Sequence, residues 1–377
     1  MSVMTGFADL DLLLSPDRVH EALGRDDLTV TRVRHKPGQY AVAALADDAG
    51  PAGWARVTAD LDRGRRDLER GDRIGREVTL RAAGGGLFVA TGDLWSDPKL
   101  GDRLARLADL VDASVPVRHN PLRRLVLRRG STQLRVTAEP QRPVETWGAA
   151  LLDPEAGLTA ALRGRAGQHL SRWEWVEGRT VESVLGRDAA DDRAAGVVLG
   201  RLLARVHATG CAPVASDDAT RIPTTDHAGL RRAAADLGQL DPALGARMLA
   251  AVDALPVRPA SAEVVLHGDY SADQVVLSDE GARLIDLDRA GVGAPARDIA
   301  SAIAHETLRG GTVDGPLATG LRDGYVDGGG TWPAADELAG ALAAALLGRA
   351  QEPLRTARPD WRDRAGEVIA LAVEVLR

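Results

Sequence analysis

Short apolar runs broken by turn residues dominate the first half of the chain, and apolar positions at helical spacing dominate the second. Leu125-Val126-Leu127 and Gln133-Leu134-Arg135-Val136-Thr137 read as strands around a Gly130 turn, with Val115-Pro116-Val117 before them. Val264-Val265-Leu266, Val275-Val276-Leu277 and Ala282-Arg283-Leu284-Ile285 are further strands, and Ser278-Asp279-Glu280-Gly281 is the turn between the last two. Residues 197–207 instead place apolar side chains three and four apart, as a helix does. Residues 335–349, rich in Ala and Leu, and 361–377, with Val368, Ala372 and Val375 in phase, predict two more helices.

Part of the strand pattern occurs twice. The ten residues from Val33 to Val42 match those from Val117 to Val126 at Val, Arg, His, Pro and the final Val. Downstream, Arg56-Val57-Thr58-Ala59-Asp60 matches Arg135-Val136-Thr137-Ala138-Glu139. The offsets of 84 and 79 residues put a hairpin five residues longer in the first copy, which reads as an internal duplication of one β-rich unit. After the first copy, 61–74 predicts a helix, 76–81 and 86–90 predict strands, and Leu94-Trp95-Ser96-Asp97-Pro98 a turn. Leu104, Leu107, Leu110 and Val111 give a short amphipathic helix into the second copy.

Composition narrows the classes. The 377 residues suffice for two or three domains or lobes, and with 45% apolar but 3% aromatic residues the cores must be built from Leu, Val and Ala. A net charge of −7 speaks against nucleic-acid or anionic-membrane partners, which demand basic faces. The single cysteine, Cys211, has no internal disulfide partner, which favours a reducing, cytoplasmic location. The amino terminus carries acids and no basic region, unlike a secretory signal, and no apolar run approaches the ~20 residues of a membrane span. Oligomeric state is not legible.

The chemistry concentrates in Leu266-His267-Gly268-Asp269-Tyr270-Ser271-Ala272-Asp273-Gln274 and Leu284-Ile285-Asp286-Leu287-Asp288. The strand pair after the first segment returns Asp286 to its side. Asp269 then serves as the base for an acceptor hydroxyl, while the Gln274 amide oxygen and the Asp286 carboxylate suit Mg²⁺. That is the kit for phosphoryl transfer, in which the protein positions groups and offsets charge. His267 reads as a loop brace rather than a second base.

HGDYSADQ followed by IDLDRAG resembles the catalytic and metal loops of the aminoglycoside phosphotransferase and choline kinase-like family, whose usual form is H-G-D-x4-N and then I-D. Gln274 stands in the Asn place, similar to the actinobacterial maltokinase-like and glucosamine kinase-like branch. The resemblance implies an α+β, protein-kinase-like bilobal fold with a β-rich small lobe and a helical large lobe, here extended by an N-terminal cap resembling a duplicated small lobe. The expected boundaries are 1–113 for the cap, 114–178 for the small lobe and hinge, and 179–377 for the large lobe. The resemblance also implies ATP or GTP with Mg²⁺, a small-molecule hydroxyl as acceptor (an aminoglycoside, a sugar or amino sugar, or a related natural product) and an association with antibiotic resistance.

Other roles follow from the same resemblance. Residues 173–180 are similar to the inter-lobe hinge, whose main chain at Glu174, Trp175 and Val176 would meet adenine. Arg135 occupies the place of the lysine that holds the α- and β-phosphates; its guanidinium keeps the charge and forks two oxygens but is wider. No glycine-rich loop precedes it, so Arg123 or Arg124 and the backbone of 119–124 would cover the phosphates. Glu145 is the expected partner of Arg135, with Glu155 second. Asp298 would brace the catalytic loop, with Asp288 as a supporting acid. The first copy is expected to be a cap without a nucleotide site, because no catalytic loop follows it. The competing reading is a catalytically degenerate kinase fold acting as a binding or regulatory module, favoured by the missing glycine loop, the arginine for lysine and a duplicated small lobe that offers a docking surface. Retention of Asp269, Gln274 and Asp286 together favours the enzyme.

Overall fold

Among the described residues of the first 174, ten strands build two five-stranded sheets. In the first, β1 (Thr29–Lys36), β2 (Tyr40–Asp47), β3 (Gly50–Thr58), β4 (Val78–Ala82) and β5 (Phe88–Asp93) lie in the order β1-β2-β3-β5-β4. In the second, β6 (Val115–Asn120), β7 (Arg124–Arg129), β8 (Thr132–Thr137), β9 (Leu162–Ala166) and β10 (Leu170–Glu174) follow the same permutation, β6-β7-β8-β10-β9. Register repeats as well: Arg56 faces Val42 and Arg135 faces Val126, the residues that the sequence offsets align. In the first copy the helix Leu61–Arg73 joins the third strand to the fourth, and the Asp60 carboxylate caps it by accepting from Arg63 N at 3.0 Å.

The computed structural model describes residues 7–141, 147–150, 152, 157–209, 221–257 and 262–377; Glu145, Glu155 and Cys211 lie outside them. The chain divides into two compact units. One comprises Met1–Gln141, Arg163–Trp173 and Gln351–Arg364, the other Arg142–Leu162, Glu174–Ala350 and Ala365–Arg377.

In the first unit, Trp54, Val78 and Ala90 form a core with Leu68 of the Leu61–Arg73 helix. The second sheet instead buries Leu125, Leu127, Leu134, Val136 and Leu170 against Leu94, Leu100 and Leu104 of the connecting segment. Each such leucine contributes about 1.5–3 kcal/mol by leaving water. The expected turn at 94–98 begins as a 3-10 turn, Leu94–Ser96, because the Asp93 carboxylate accepts from Ser96 N at 2.8 Å. The segment similar to the hinge begins where β10 stops, at Glu174. The chain there leaves one sheet for another, and Gly178, at φ +139°, sits where a β-carbon would strike the Leu277 carbonyl.

The second unit holds β11 (Arg179–Thr180), β12 (Val264–Leu266), β13 (Val275–Ser278), β14 (Gly281–Leu284) and β15 (Gly291–Gly293), arranged as a β11-β13-β14 sheet and a β12-β15 pair. Around them lie the helices Ala189–Ala208, Ala296–Leu308, Pro316–Asp327 and Ala335–Arg349. Ala189–Ala208 and Pro316–Asp327 approach through glycines. Gly196 and Gly200 abut the carbonyls of Leu317 and Leu321, while Gly320 and Gly324 abut those of Arg193 and Val197, so a methyl at any of the four would collide. Among the described residues no helix is long and apolar enough to cross a membrane.

Candidate active site

The β12–β15 pair and the β13–β14 hairpin bring the 267–274 loop against the 285–290 loop, and hydrogen bonds stitch the two together. Ile285 N donates to Gln274 O at 3.0 Å, and His267 Nε2 donates to Ile285 O at 2.9 Å. Gly268, at φ +82°, packs so closely on the Arg289 carbonyl that no β-carbon fits. Asp286 itself adopts φ 64°, ψ 66°, a left-handed conformation uncommon outside glycine and tolerated by Asp. Strained residues of this kind cluster at functional sites.

Asp298 is fully buried and accepts from His267 N at 2.7 Å and Gly268 N at 2.8 Å. His207 Nε2 lies 3.5 Å from it, and His207 Nδ1 is 2.7 Å from the Tyr325 hydroxyl. Burial pushes the Asp298 carboxyl up, but His207, His267 and the Gly268 amide together hold it below the usual carboxylate range. Burial pushes the Tyr325 phenol up to about 12, so it stays protonated. The Tyr270 hydroxyl donates to Leu199 O at 2.7 Å, tying the 267–274 loop to the Ala189–Ala208 helix. His267 therefore braces the loop: its Nε2–H is committed to a carbonyl.

Asp269 is the more open carboxylate, with 34% of its side chain exposed. Arg289 Nη1 lies 3.3 Å from its Oδ2 and Arg349 Nη2 lies 3.3 Å from its Oδ1. Burial raises its proton affinity, and Arg289, Arg349 and His267 more than reverse that, leaving the carboxyl below its ordinary value. It is thus ionised at neutral pH and able to accept a proton. Arg349 is held in turn by Ser301 Oγ, 2.9 Å from its Nη2. Arg289 stands within the IDLDRAG run, but Arg349 lies 80 residues from Asp269, and no sequence signal marked it.

Gln274 is buried, and its Nε2 donates to Asp273 Oδ2 at 2.7 Å, which fixes the orientation of the amide and its carbonyl end. Asp273 is positioned by the Ser271 hydroxyl at 2.5 Å and lies 3.8 Å from His305 Nε2. Among the described residues no group of three His, Cys, Asp or Glu side chains could hold a metal. One amide oxygen and one carboxylate fit a hard cation that completes its shell with phosphate oxygens and water.

The other expected residues are placed as follows. Arg135, 3% exposed, carries its guanidinium 5.9 Å from the Trp173 ring centre. Arg123 lies just before β7; its N–H closes a turn onto Asn120 O at 3.0 Å, and its carbonyl accepts from Ala138 N at 2.7 Å. The Glu174 carboxylate is occupied by Arg283, at 2.8 and 2.6 Å, and by Ala161 N at 3.1 Å. That leaves main chain as its means of meeting a ligand. Trp175 and Val176 follow in an irregular, half-buried segment, and Asp288 is half-buried after Asp286.

Comparison with known proteins identifies a family and a fold. The family described as phosphotransferase enzyme family matches residues 103–338. No curated protein matches the sequence. Among solved structures, the amicoumacin kinase hAmiN in complex with AMP-PNP, Ca²⁺ and Ami is 14% identical over 72% of this chain and 93% of that chain, at a TM-score of 0.55. A choline/ethanolamine kinase family protein from Mesorhizobium loti is also 14% identical, covering 73% and 93%, at 0.51. Macrolide 2'-phosphotransferase MphH from Brachybacterium faecium is 21% identical over 71% and 98%, at 0.47. At these identities the likeness is one of fold, that of the kinase-like phosphotransferases.

Proposed function

The chain belongs to the phosphotransferase enzyme family and is a small-molecule kinase, and we propose that it transfers the γ-phosphoryl group of ATP, with Mg²⁺, to a hydroxyl of a sugar, amino sugar, aminoglycoside or related natural product in the cytoplasm. The observation that carries this reading is the stitched pair of loops, in which an ionised Asp269 stands beside the segment bearing Gln274 and Asp286. Asp269 accepts the proton of the acceptor hydroxyl as its oxygen bonds to phosphorus and the bond to the nucleotide breaks. Arg289 and Arg349 keep that carboxylate ionised and aimed. Gln274 and Asp286 would hold the divalent ion, whose charge offsets that of the phosphates. Arg135 is the proposed phosphate ligand on β8, Arg123 its neighbour at the turn, and Glu174, Trp175 and Val176 the main chain that meets the base. Support for nucleotide and metal use comes from the amicoumacin kinase, whose structure contains AMP-PNP and Ca²⁺.

The test is kinetic. Asp269→Ala should lower kcat at least about a thousandfold while the protein stays folded, on the scale of other essential catalytic groups. Asp286→Ala should abolish the metal-dependent thermal stabilisation by ATP. Near-normal turnover in the first variant removes Asp269 as the base. Absence of any stabilisation of the parent by millimolar nucleotide and Mg²⁺ favours the degenerate binding module.

A further inference from the structure

A cavity of about 210 Å³ opens on the first copy, well away in sequence from the catalytic loops. Five cations line it: Arg56 on β3, Arg63, Arg66 and Arg70 on the Leu61–Arg73 helix, and Lys99. Asp67 is the one carboxylate in its lining, and it is consumed by Arg56, whose Nη1 donates to both its oxygens at 2.9 and 2.7 Å. Both members of that pair are more than nine-tenths buried, yet among the described residues Arg56 Nε has no hydrogen-bond partner. Three further carboxylates act on the lining cations: Asp60 lies 3.7 and 3.5 Å from Arg63 and Arg66, Glu139 lies 3.1 Å from Lys99, and buried Asp97 attracts Arg56 from further off. The Asp60 and Glu139 pairs are solvent-exposed and therefore weak, and Asp97 is already held by His119 at 3.0 Å. Five cations against four carboxylates leave the cavity positive in a protein whose net charge is −7.

We infer that this cavity is a second anion site, one that binds a phosphate group of a small phosphorylated metabolite. Concentrated guanidinium groups match the many oxygens of a phosphate and fork them in pairs. Ring stacking is not on offer, because the aromatic residue of the lining, Tyr40, already receives Arg56 and Arg63 at 5.1 and 5.2 Å from its ring centre. Recognition therefore falls on the phosphate and not on a nucleobase. The small volume fits one phosphate or a pyrophosphate rather than a polymer. This goes beyond the kinase reading, which assigns the first copy no ligand.

Isothermal titration of the full chain in EDTA, where no metal–nucleotide site forms, tests it with inorganic phosphate, pyrophosphate and a sugar phosphate as probes. Binding should be one to one and should weaken steeply as salt is raised from about 0.05 to about 0.5 M. Arg63→Ala with Arg66→Ala should lower affinity at least about tenfold, whereas Asp286→Ala and Arg135→Gln should retain it. Tighter binding of the sugar phosphate than of the inorganic ions identifies an ester as the ligand, and the reverse order identifies a free ion; either supports the site. If the double variant loses its circular dichroism signal, Arg66→Gln and Lys99→Gln, both half-exposed, carry the same expectation at about threefold each. The inference is overturned by no heat at millimolar probe, by unchanged affinity in the cap variants, or by loss of binding in Asp286→Ala or Arg135→Gln.

Discussion

Two sheets of one unit share strand order and register, yet they use the same arginine differently. In the first, Arg56 is locked onto Asp67 of the crossover helix and lies over Tyr40. In the second, Arg135 occupies the equivalent lattice point over Trp173. The scaffold thus supplies a buried guanidinium on its third strand whether or not chemistry follows. What differs is what comes next in the chain. Only the second copy leads on to a loop of oxygen donors, so the family match begins near it, at residue 103.

The largest expected effect that separates the copies is on stability. Arg56→Ala or Asp67→Ala strands one buried charge and should cost about 3–5 kcal/mol, read by denaturant unfolding, with kcat per folded molecule unchanged. Replacing both together, Arg56→Met with Asp67→Leu, should recover most of the loss, because an apolar pair needs no desolvation. A double variant no better than the singles would mean that the pair acts through something other than mutual neutralisation.

Arg135→Ala should show the opposite signature. If it holds phosphate, kcat/KM for ATP falls by roughly 10- to 100-fold through charge-assisted hydrogen bonds, while acceptor KM moves little. Arg135→Lys should restore part of it. A variant that loses stability and keeps its nucleotide KM would make Arg135 a structural twin of Arg56.

A smaller difference lies in the histidines that the repeat places at the end of each first strand. His119 Nε2 is 3.0 Å from Asp97, whose two oxygens also accept from Lys99, Leu100 and Leu122 N–H groups. His35 Nε2 has Asp9 at 3.4 Å. Burial raises the Asp97 carboxyl, but His119 and the amides outweigh it and depress the folded value. A depressed carboxyl contributes stability above its unfolded pKa and loses it as pH falls through the folded one. The unfolding free energy should therefore fall less between neutral and acid pH in Asp97→Asn than in the parent, because the variant has already lost at neutral pH the stability that protonation of Asp97 removes.

These contrasts show how far the sequence could be read. The strand runs, the repeat and the meeting of the 267–274 and 285–290 loops were legible because each is local: periodicity, a matched decapeptide, or a motif whose ends are joined by one hairpin. Helix 335–349 was legible for the same reason. Its arginine at Asp269 was not, since pairing across 80 residues depends on how helices pack, which no window of sequence contains. The glycines that let Ala189–Ala208 meet Pro316–Asp327 read as helix-weakening residues until their partner carbonyls are seen. The cap's cationic cavity was missed because its lysine and arginines come from a strand, a helix and a turn that pattern alone treats as solvated.

The finest test concerns one turn residue. Gly38 and Leu122 are equivalent positions, and both are left-handed, at φ +69° and +63°. Glycine is at ease there, and nothing lies within 4 Å of a β-carbon at 38, so Gly38→Ala should cost only about 1 kcal/mol of strain. Leucine at 122 bears a comparable strain, roughly 1–2 kcal/mol, yet it is 3% exposed, packs with Tyr40 and Val42 of the first sheet, and has its N–H held by Asp97 at 2.8 Å. Burying it contributes about 1.5–3 kcal/mol, which exceeds the strain. Leu122→Gly should therefore destabilise, by about 1 kcal/mol in urea unfolding, although it relieves the backbone. A gain in stability would mean that the leucine is not what fastens the second copy's turn onto the first copy's face.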